Sequence, residues 1–397
     1  MPSEPRPPIE RQSNGEHLLG LPIERFLHDY WQQHPLLVRG ALPGFQSPIT
    51  PDELAGLACE DGALSRLIVH EAQSDRWNVH SGPFAEEVFN QLPERDWTLL
   101  VQDVDKWDAD VAELLEQFNF LPRWRIDDIM VSFAAPEGSV GAHVDQYDVF
   151  LIQGLGRRRW QIDTRPNPPQ AFREDVELKL LREFSPDMDW VLEPGDLLYL
   201  PPGVPHHGVA LDECMTLSVG MRAPSHGELL SDLADHLAIS LSESQRYGDA
   251  GINLDAADGR IDAAVLRRVR AAFQSLQNID DHGLADWFGD FITRYRSAGE
   301  IVAPPRLPKP TAIEKDLLAG ERLHLHPLAR CAWHEQARRA IVHLNGERFT
   351  AGLALARNLA RAIPLGVDEY AALDHDDRTL VQHLVRRGIL VLSNTEG

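Results

Sequence analysis

The chain has 397 residues, enough for two or three domains at a usual size of about 150 residues each. Its hydrophobic share of 43% and charged share of 25% are typical of a folded globular protein and exclude a wholly disordered or collagen-like chain. The 61 Asp and Glu residues outnumber the 38 Lys and Arg residues, which gives a formal net charge of -23. This sign disfavours direct nucleic-acid binding, which works through phosphates, and favours a basic partner.

The cysteine content and the N-terminal sequence indicate the cellular compartment of the protein. The three cysteines, Cys59, Cys214 and Cys331, lie far apart, a pattern that forms neither a disulfide framework nor a paired-cysteine metal clamp. Residues 1–17 lack the apolar core of an export signal, and no stretch approaches the length of apolar sequence that spans a membrane. These features predict a cytoplasmic protein with no membrane partner.

The N-terminal third predicts a mixed α/β lead-in. Residues 1–12 are polar and rich in proline, which indicates a loose arm. Between Leu18 and Trp124 the hydrophobic pattern alternates between helical and strand-like periods. The clearest examples predict a helix over Ile23–Gln33 and a strand over Trp97–Gln102.

Residues 128–222 have the pattern of an all-β sandwich or barrel. Short β-rich runs are separated at close intervals by turns that contain Gly, Pro and Asp. Such turn residues favour antiparallel hairpins. The predicted strands cover residues 129–133, 143–153, 157–162, 197–200, 204–210 and 215–221.

After Pro224 the apolar residues recur at helical spacing. Three amphipathic helices are predicted, over residues 229–237, 261–276 and 284–295. Three such helices make a thin core alone, so they either cover the barrel or join a second copy of the chain. We expect a homodimer.

A proline-rich connector, Ala303–Pro310, precedes a final unit that resembles a winged helix. This unit closes with a predicted helix over Asp377–Arg387 and a predicted strand over Ile389–Leu392. Residues 306–397 hold 13 Lys and Arg against 11 Asp and Glu, which argues against strong DNA binding. The expected domains are 1–224 for the lead-in and barrel, 225–302 for the helical dimerisation region, and 303–397 for the linker and winged helix.

His143 and Asp145 form an HxD pair on a predicted strand, where alternate residues share one face. A second strand, within residues 201–210, offers His206 or His207 as a third ligand, and spacing alone does not choose between them. Two histidines and one carboxylate form the facial triad of Fe(II) oxygenases, which leaves coordination positions for a keto acid and dioxygen. A structural zinc centre would instead use four protein ligands.

The remaining histidines show no second cluster on compatible spacing, so surface or capping roles are expected for residues such as His334, His343 and His383. The tripeptide His375-Asp376-Asp377 repeats the HxD pattern. It lies at a predicted helix entrance and is given no role.

Four stretches together resemble the JmjC-type ribosomal oxygenases of the cupin superfamily. They are DYWQQHPLLVRGALPGF, WTLLVQDVDKW, DDIMVSFAAPEGSVGAHVDQYDVFLIQGLGRRRW and EPGDLLYLPPGVPHHGVA. The resemblance implies a mixed α and β fold: a double-stranded β-helix (cupin/JmjC) barrel, a helical dimerisation region and a C-terminal winged-helix domain.

The resemblance also implies the residues of the active site. The iron ligands would be His143, Asp145 and His206, because the family places its second histidine directly after the proline; His207 would lie beside the centre. Arg158 matches the arginine that binds the distal carboxylate of 2-oxoglutarate, and Ser132 matches a position near that cosubstrate.

Strand alternation supports Arg158 independently of the resemblance. If Arg158 and Trp160 face the barrel interior, Arg157 and Arg159 point outward and can serve as a solvated edge. A planar guanidinium also pairs with a carboxylate in a bidentate manner. The signature further contains Tyr147 and Asp148, to which spacing assigns no separate roles.

The activity that the resemblance implies is hydroxylation of an arginine side chain in a basic large-subunit ribosomal protein, with Fe(II), 2-oxoglutarate and O2. The negative charge of residues 1–305 suits a basic substrate, although charge alone would fit any basic peptide. Three alternatives stay open: a ribosomal-protein histidine hydroxylase, a JmjC lysine demethylase and a non-catalytic metal-binding cupin scaffold.

Overall fold

The computed structural model describes residues 7–242, 244, 246–250, 261–273, 279–295, 299–305 and 309–393. The chain divides into two compact units, Met1–Ala223 and Pro224–Gly397. A finer division of the second unit at residue 302 stays a prediction. Within these described ranges, no helix has the length and apolar character needed to cross a membrane.

The first unit is built on two largely antiparallel sheets. Its strands are β1 Glu10–Gln12, β2 Leu36–Arg39, β3 Ser65–Glu71, β4 Arg76–Ser81, β5 Trp97–Val101, β6 Ile126–Ala134, β7 Val149–Leu155, β8 Arg158–Ile162, β9 Met188–Leu192, β10 Leu197–Leu200, β11 His206–Ala210 and β12 Cys214–Met221. The large sheet has the order β1, β2, β10, β7, β12, β6, β5, β3, β4, and the small sheet has the order β11, β8, β9. Only the β1–β2 pair of the described strands is parallel.

The path of the chain between these sheets makes the expected double-stranded β-helix. Strand β7 lies in the large sheet and the next strand, β8, lies in the small one; β10 and β11 repeat this change of sheet. The helices of this unit are α1 Ile23–Asp29, α2 Pro51–Leu57, α3 Glu86–Phe89, α4 Val104–Trp107 and α5 Ala109–Glu113, with 3-10 turns at Leu114–Phe118 and Arg123–Arg125.

Strand β7 shows why its sequence is apolar without interruption. Phe150 and Ile152 pack into the core shared with the N-terminal helices, while Val149 and Leu151 pack between the two sheets. Because successive side chains of a strand point to opposite faces, both faces need apolar residues. Full burial of a side chain such as Phe150 contributes about 1.5 to 3 kcal/mol. Burial of apolar side chains on both faces of β7 therefore stabilises the barrel.

Two predicted elements of this unit are longer than the observed ones. The predicted helix over Ile23–Gln33 ends at Asp29, and Gln32 has the left-handed φ of 58° that no helix continues through. The predicted strand 143–153 is wrong in its first half, because β7 begins at Val149. The strands predicted over 129–133, 157–162, 197–200, 204–210 and 215–221 match β6, β8, β10, β11 and β12 to within a few residues.

The second unit combines helices with two small sheets. Its helices are α6 His226–Ser240, α7 Ala263–Ala272, α8 Asp281–Arg294, α9 Pro310–Leu318, α10 Leu353–Ala360, α11 Val367–Ala371 and α12 His375–Arg386. Its strands are β13 Arg322–Leu325, β14 Cys331–Gln336, β15 Arg339–Leu344, β16 Glu347–Ala351 and β17 Leu390–Ser393. Strands β14, β15 and β16 form one antiparallel sheet, and β13 pairs with β17.

The final helix and strand, α12 and β17, lie where the sequence predicts them and give this unit its winged-helix order. Asp374 caps α12 by accepting a hydrogen bond from the backbone N–H of Asp377. The helix then buries one apolar face in the core of the unit, through Leu380, Val381 and Leu384. Of the three helices predicted after Pro224, each has an observed counterpart, although Leu276 lies outside the described residues.

Candidate metal centre

Two histidines and one aspartate converge at one end of the small sheet. His143 and His206 form an isolated antiparallel bridge, with backbone N–H to carbonyl hydrogen bonds of 3.0 and 2.9 Å. Asp145 follows in the loop before β7, where its carbonyl accepts a hydrogen bond from the Gly203 N–H at 2.8 Å. A carboxylate oxygen of Asp145 lies 3.9 Å from His143 Nε2 and 3.6 Å from His206 Nε2. The three side chains can therefore share one metal ion.

Backbone carbonyls orient both imidazole rings. His143 Nδ1 donates to the Gly141 carbonyl at 3.0 Å, and His206 Nδ1 donates to the Val204 carbonyl at 2.9 Å. With the proton held on Nδ1, each Nε2 keeps its lone pair for a metal. Burial is the main cause that lowers the pKa of His206 to about 4, so this ring is neutral near pH 7, as a ligand must be.

This donor set fits an open, oxygen- and nitrogen-coordinated centre. Three donors converge among the described residues, whereas a structural zinc site is closed by four. Two imidazoles and one carboxylate suit non-haem Fe(II) and leave adjacent positions for a chelating cosubstrate. The residues present therefore fit the ion that the sequence implies.

His207 does not join this set. On β11 its side chain points to the opposite side from His206, and its ring contacts Phe184 edge to face at 6.1 Å between centroids. Burial and the nearby Arg158 charge lower the pKa of His207 to about 4, so the ring is neutral near pH 7. Of the two histidines that spacing left open, His206 is the one that lies with His143 and Asp145.

Arg158 is a buried cation without a carboxylate partner. Its side chain, on β8, is only 2% exposed, and no described Asp or Glu forms an ion pair with it. Its guanidinium reaches Ser132 Oγ at 3.4 Å and the Gly208 carbonyl at 3.3 Å, while its Nε has no hydrogen-bond partner. Burial lowers the pKa of this guanidinium. An incoming carboxylate would supply the missing charge and hydrogen bonds.

The neighbours of Arg158 on β8 face the other way, as strand alternation predicts. Arg157 pairs with Asp212 at 2.9 Å, and Arg159 pairs with Asp189 on the outer surface. Trp160 shares the inward face with Arg158, whose guanidinium carbon lies 5.1 Å from the centre of the indole. These two inward side chains line the space behind the histidines.

Gly208 allows this arrangement because it lies against both inward side chains. A Cβ at this position would be 2.7 Å from Arg158 Nε and 2.8 Å from the Trp160 ring, so either side chain would have to move. We expect Gly208→Ala to raise the KM for 2-oxoglutarate about 10-fold while metal affinity stays unchanged, since a displacement of about 1 Å in a positioning group is costly. Steady-state kinetics and a metal titration check this, with Gly227→Ala, where a Cβ would come no closer than 3.7 Å to a neighbouring atom, as the control.

Asp148 has a structural role that sequence spacing did not reveal. Its fully buried carboxylate accepts hydrogen bonds from Tyr199 Oη at 2.6 Å, Gln32 Nε2 at 3.0 Å and Arg125 Nη2 at 3.1 Å. A buried carboxylate is stable only with such partners. It fixes the loop that carries Asp145. In the sequence, Asp148 is an aspartate directly before an apolar strand. This position alone does not indicate which residues donate hydrogen bonds to it.

Tyr147 and Asp128 lie beside the candidate centre. Burial and the neighbouring Asp145 carboxylate, to which Tyr147 is hydrogen-bonded, raise the pKa of Tyr147 above its usual range; Asp128 adds to the effect. Asp128, on β6, accepts a hydrogen bond from the Asp103 N–H at 2.9 Å and has no ion pair with a described basic residue. Burial raises the pKa of Asp128 to about 7, and the nearby carboxylates of Asp103 and Asp127 contribute. Sequence reasoning missed Asp128.

The barrel and its triad define a JmjC oxygenase, and comparisons with known proteins place the chain more narrowly. The family model described as "JmjC domain" matches residues 113–229, and that described as "ROXA-like winged helix" matches residues 274–391. The ribosomal protein uL16 3-hydroxylase of Escherichia coli is 41% identical over 309 residues, which cover 78% of this chain and 81% of that protein. The chain therefore belongs to the JmjC-type ribosomal oxygenases.

Other relatives and solved structures agree. A probable ribosomal oxygenase of Haemophilus influenzae is 39% identical over 59% of this chain and 56% of its own length. A crystal structure of YcfD from E. coli superposes with a TM-score of 0.83 at 36% identity, over 94% of this chain and 99% of that one. A structure of YcfD in complex with cobalt and 2-oxoglutarate gives a TM-score of 0.80 at 35% identity, over 96% and 99% of the two chains.

Proposed function

We propose that this protein is an Fe(II)- and 2-oxoglutarate-dependent oxygenase that hydroxylates an arginine side chain, at Cβ, of the large-subunit ribosomal protein uL16. The observation that carries the proposal is the pairing of the His143, Asp145 and His206 set with Arg158, a buried cation that has no carboxylate partner of its own. The relative named a uL16 3-hydroxylase, and the solved relative with cobalt and 2-oxoglutarate, support the reaction class and the substrate.

Each residue has a distinct task in this proposal. His143, Asp145 and His206 hold the iron, and Arg158 binds the distal carboxylate of 2-oxoglutarate while the Ser132 hydroxyl adds a hydrogen bond beside it. Iron and 2-oxoglutarate, when bound, supply the oxidising power with O2. The protein orients the cosubstrate, excludes water from the apolar interior around Trp160, and positions the substrate C–H bond.

Substrate recognition rests on negative charge beside the centre. Asp128 is a partly buried carboxyl near Tyr147, which in turn contacts Asp145. Among the described residues Asp128 has no basic partner, and a substrate guanidinium would provide one. A planar guanidinium suits bidentate pairing with a carboxylate. The overall charge of -23 would steer a basic ribosomal protein toward this face.

Mass spectrometry of uL16 after turnover tests the proposal. A gain of one oxygen atom on an arginine, dependent on Fe(II) and 2-oxoglutarate, is the expected result. A gain on histidine would make the protein a histidine hydroxylase, and release of formaldehyde from methyl-lysine peptides would make it a demethylase. Metal binding without succinate formation would leave only a scaffold.

The role of Asp128 gives a prediction with a pH signature. Asp128→Asn removes the charge, so we expect the KM for the uL16 peptide to rise roughly 10-fold or more, the loss of a charge-assisted hydrogen bond of about 1.5 to 3 kcal/mol. The affinity for 2-oxoglutarate should not change. Because the carboxyl ionises near pH 7, the wild-type peptide KM should fall as pH rises through that value, and the variant should lack this dependence. An Asp128→Asn enzyme with the wild-type pH profile would contradict the role.

We also propose that residues 225–302 form the homodimer interface. Apolar side chains on α6 and α7 and next to them are left in solvent: Ile239 is 87% exposed and Ile261 is 73% exposed, with Leu230, Leu266 and Phe273 also exposed. Exposed apolar side chains on consecutive helices are typical of a surface that a second copy covers. The three amphipathic helices predicted from the sequence support the same segment.

Charge on this face should dissociate the dimer. We expect the double variant Ile239→Asp and Phe273→Asp to sediment as a monomer at a concentration where the wild-type chain is a dimer. Leu318→Asp, which places a charge at an exposed leucine of α9, is the matched control and should sediment as the wild type does. A dimer that survives the double variant would place the interface elsewhere.

A further inference from the structure

A second group of possible metal ligands lies in the C-terminal unit, where the sequence predicted no histidine cluster. Strand register places Ala332 of β14 opposite His343 of β15, so His334 and His343 are diagonal neighbours on one face of the sheet. Their rings are stacked, with centroids 5.4 Å apart. Helix α8 lies against this face and presents Asp286 and Asp290, one turn apart.

A glycine on α8 permits this close approach. A Cβ at Gly289 would be 2.3 Å from the His343 ring, so no larger residue fits without displacing the imidazole. His343 is buried as a result, with its side chain only 1% exposed. The expectation of a surface or capping role is therefore wrong for His343, and so is the expectation that the remaining histidines form no second cluster.

The hydrogen bonds of His343 leave one of its nitrogens prepared as a ligand. Its Nδ1 lies 2.7 Å from an Asp290 carboxylate oxygen, which holds the proton on Nδ1. Its Nε2 therefore carries a lone pair, is buried, and has no hydrogen-bond partner. A buried acceptor without a donor is costly, and a metal ion would satisfy it.

Two further donors face the same point. His334 Nε2 and Asp286 Oδ1 are 2.9 Å apart, and one ligand atom from each of Asp286, His334 and His343 lies within 4.8 Å of the others. Arg348 pairs with the outer oxygen of Asp286 at 2.8 Å and with that of Asp290 at 2.6 Å. The two carboxylates thus exceed the one guanidinium by one negative charge, and Asp286 Oδ1 stays turned toward His334.

We propose that Asp286, His334 and His343 form a second divalent-cation site, of the zinc type, in the C-terminal unit. Two imidazoles and one carboxylate suit Zn²⁺ better than Mg²⁺ or Ca²⁺, which take oxygen ligands. With three protein donors this would be an open zinc site, whose fourth position takes water, and not a closed structural one. Asp290 is the carboxylate behind the histidine that such sites use to orient a ligand. Metal at this point would tie α8 to the β14–β15 hairpin.

A zinc titration of the full-length chain tests the site apart from the oxygenase centre. Asp145→Ala and His206→Ala are introduced together to disable the first centre, and the protein is stripped with a chelator. We expect one Zn²⁺ per chain to bind, measured by competition with a chromophoric chelator, and the melting temperature to rise with zinc concentration. No zinc binding in this background overturns the proposal.

Further substitutions in the same background identify the ligands. His334→Ala and Asp286→Asn, whose side chains are partly exposed, should each weaken zinc binding by at least about 100-fold, because the loss of an outer partner alone costs about 10- to 100-fold. His383→Ala, an exposed histidine of α12, should leave binding unchanged. Zinc affinity that survives both ligand variants, in chains with the wild-type circular dichroism spectrum, overturns the assignment.

Discussion

Replacing Asp145 with alanine should abolish succinate formation from 2-oxoglutarate. The carboxylate is the only charged donor of the three groups that converge in the first unit, and its loss leaves two imidazoles that hold Fe(II) weakly. Because removal of an outer partner alone costs about 10- to 100-fold, loss of this ligand should cost more than about 100-fold in metal affinity and in turnover. Metal titration and succinate assays measure both quantities.

A matched control separates ligand loss from loss of fold. His207→Ala removes the imidazole adjacent in sequence to His206, on the other face of β11, and should keep iron binding. If Asp145→Ala bound Fe(II) as tightly as wild type while His207→Ala did not, the ligand assignment would be incorrect.

Arg158→Ala should remove 2-oxoglutarate binding and leave the fold intact. A guanidinium that makes two charge-assisted hydrogen bonds to the distal carboxylate contributes about 3 kcal/mol or more, which corresponds to roughly a 100-fold or greater rise in Kd. In the cosubstrate-free protein the same guanidinium is a buried charge without a counter-ion, so its removal should not lower the melting temperature appreciably. Anaerobic titration of the Fe(II) protein with 2-oxoglutarate measures the first effect, and thermal unfolding the second.

Arg157→Ala and Arg159→Ala are the controls for this prediction. Both arginines lie on the same strand, but they pair with surface aspartates and should retain 2-oxoglutarate affinity. Equal losses in all three variants would point to damage of β8 instead of loss of a carboxylate-binding group.

The sequence predicted the strands of the barrel well because their signal is local. Strands β8, β10, β11 and β12 combine apolar runs with Gly and Pro turns, and neither feature needs knowledge of distant residues. The inward position of Arg158 followed from alternation along one strand. The identity of the first-centre residues needed a resemblance, since spacing alone could not choose between His206 and His207.

The features that sequence reasoning missed depend on contacts between distant segments. The segment 143–148 has the residue types of a strand, yet Asp148 turns into the protein to bind Gln32, Arg125 and Tyr199, and the strand therefore starts only at Val149. In the cluster around His343, the histidines likewise contact aspartates that lie 48 and 53 positions away in the sequence. Hydrophobic periodicity predicts each helix or strand separately, so it carries no information about contacts between distant segments.

The hydrogen bonds to Asp148 link the N-terminal lead-in to the barrel. Gln32 comes from the turn after α1, Arg125 from the turn before β6, and Tyr199 from β10, and all three end on the carboxylate that anchors the Asp145 loop. A chain that began at β6 would lack Gln32 and Arg125, and the fully buried Asp148 carboxylate, close in sequence to Asp145, would keep only the Tyr199 donor. The first 35 residues contribute a strand, β1, to the large sheet and none to the small sheet, yet their removal should disturb chemistry at the end of the small sheet.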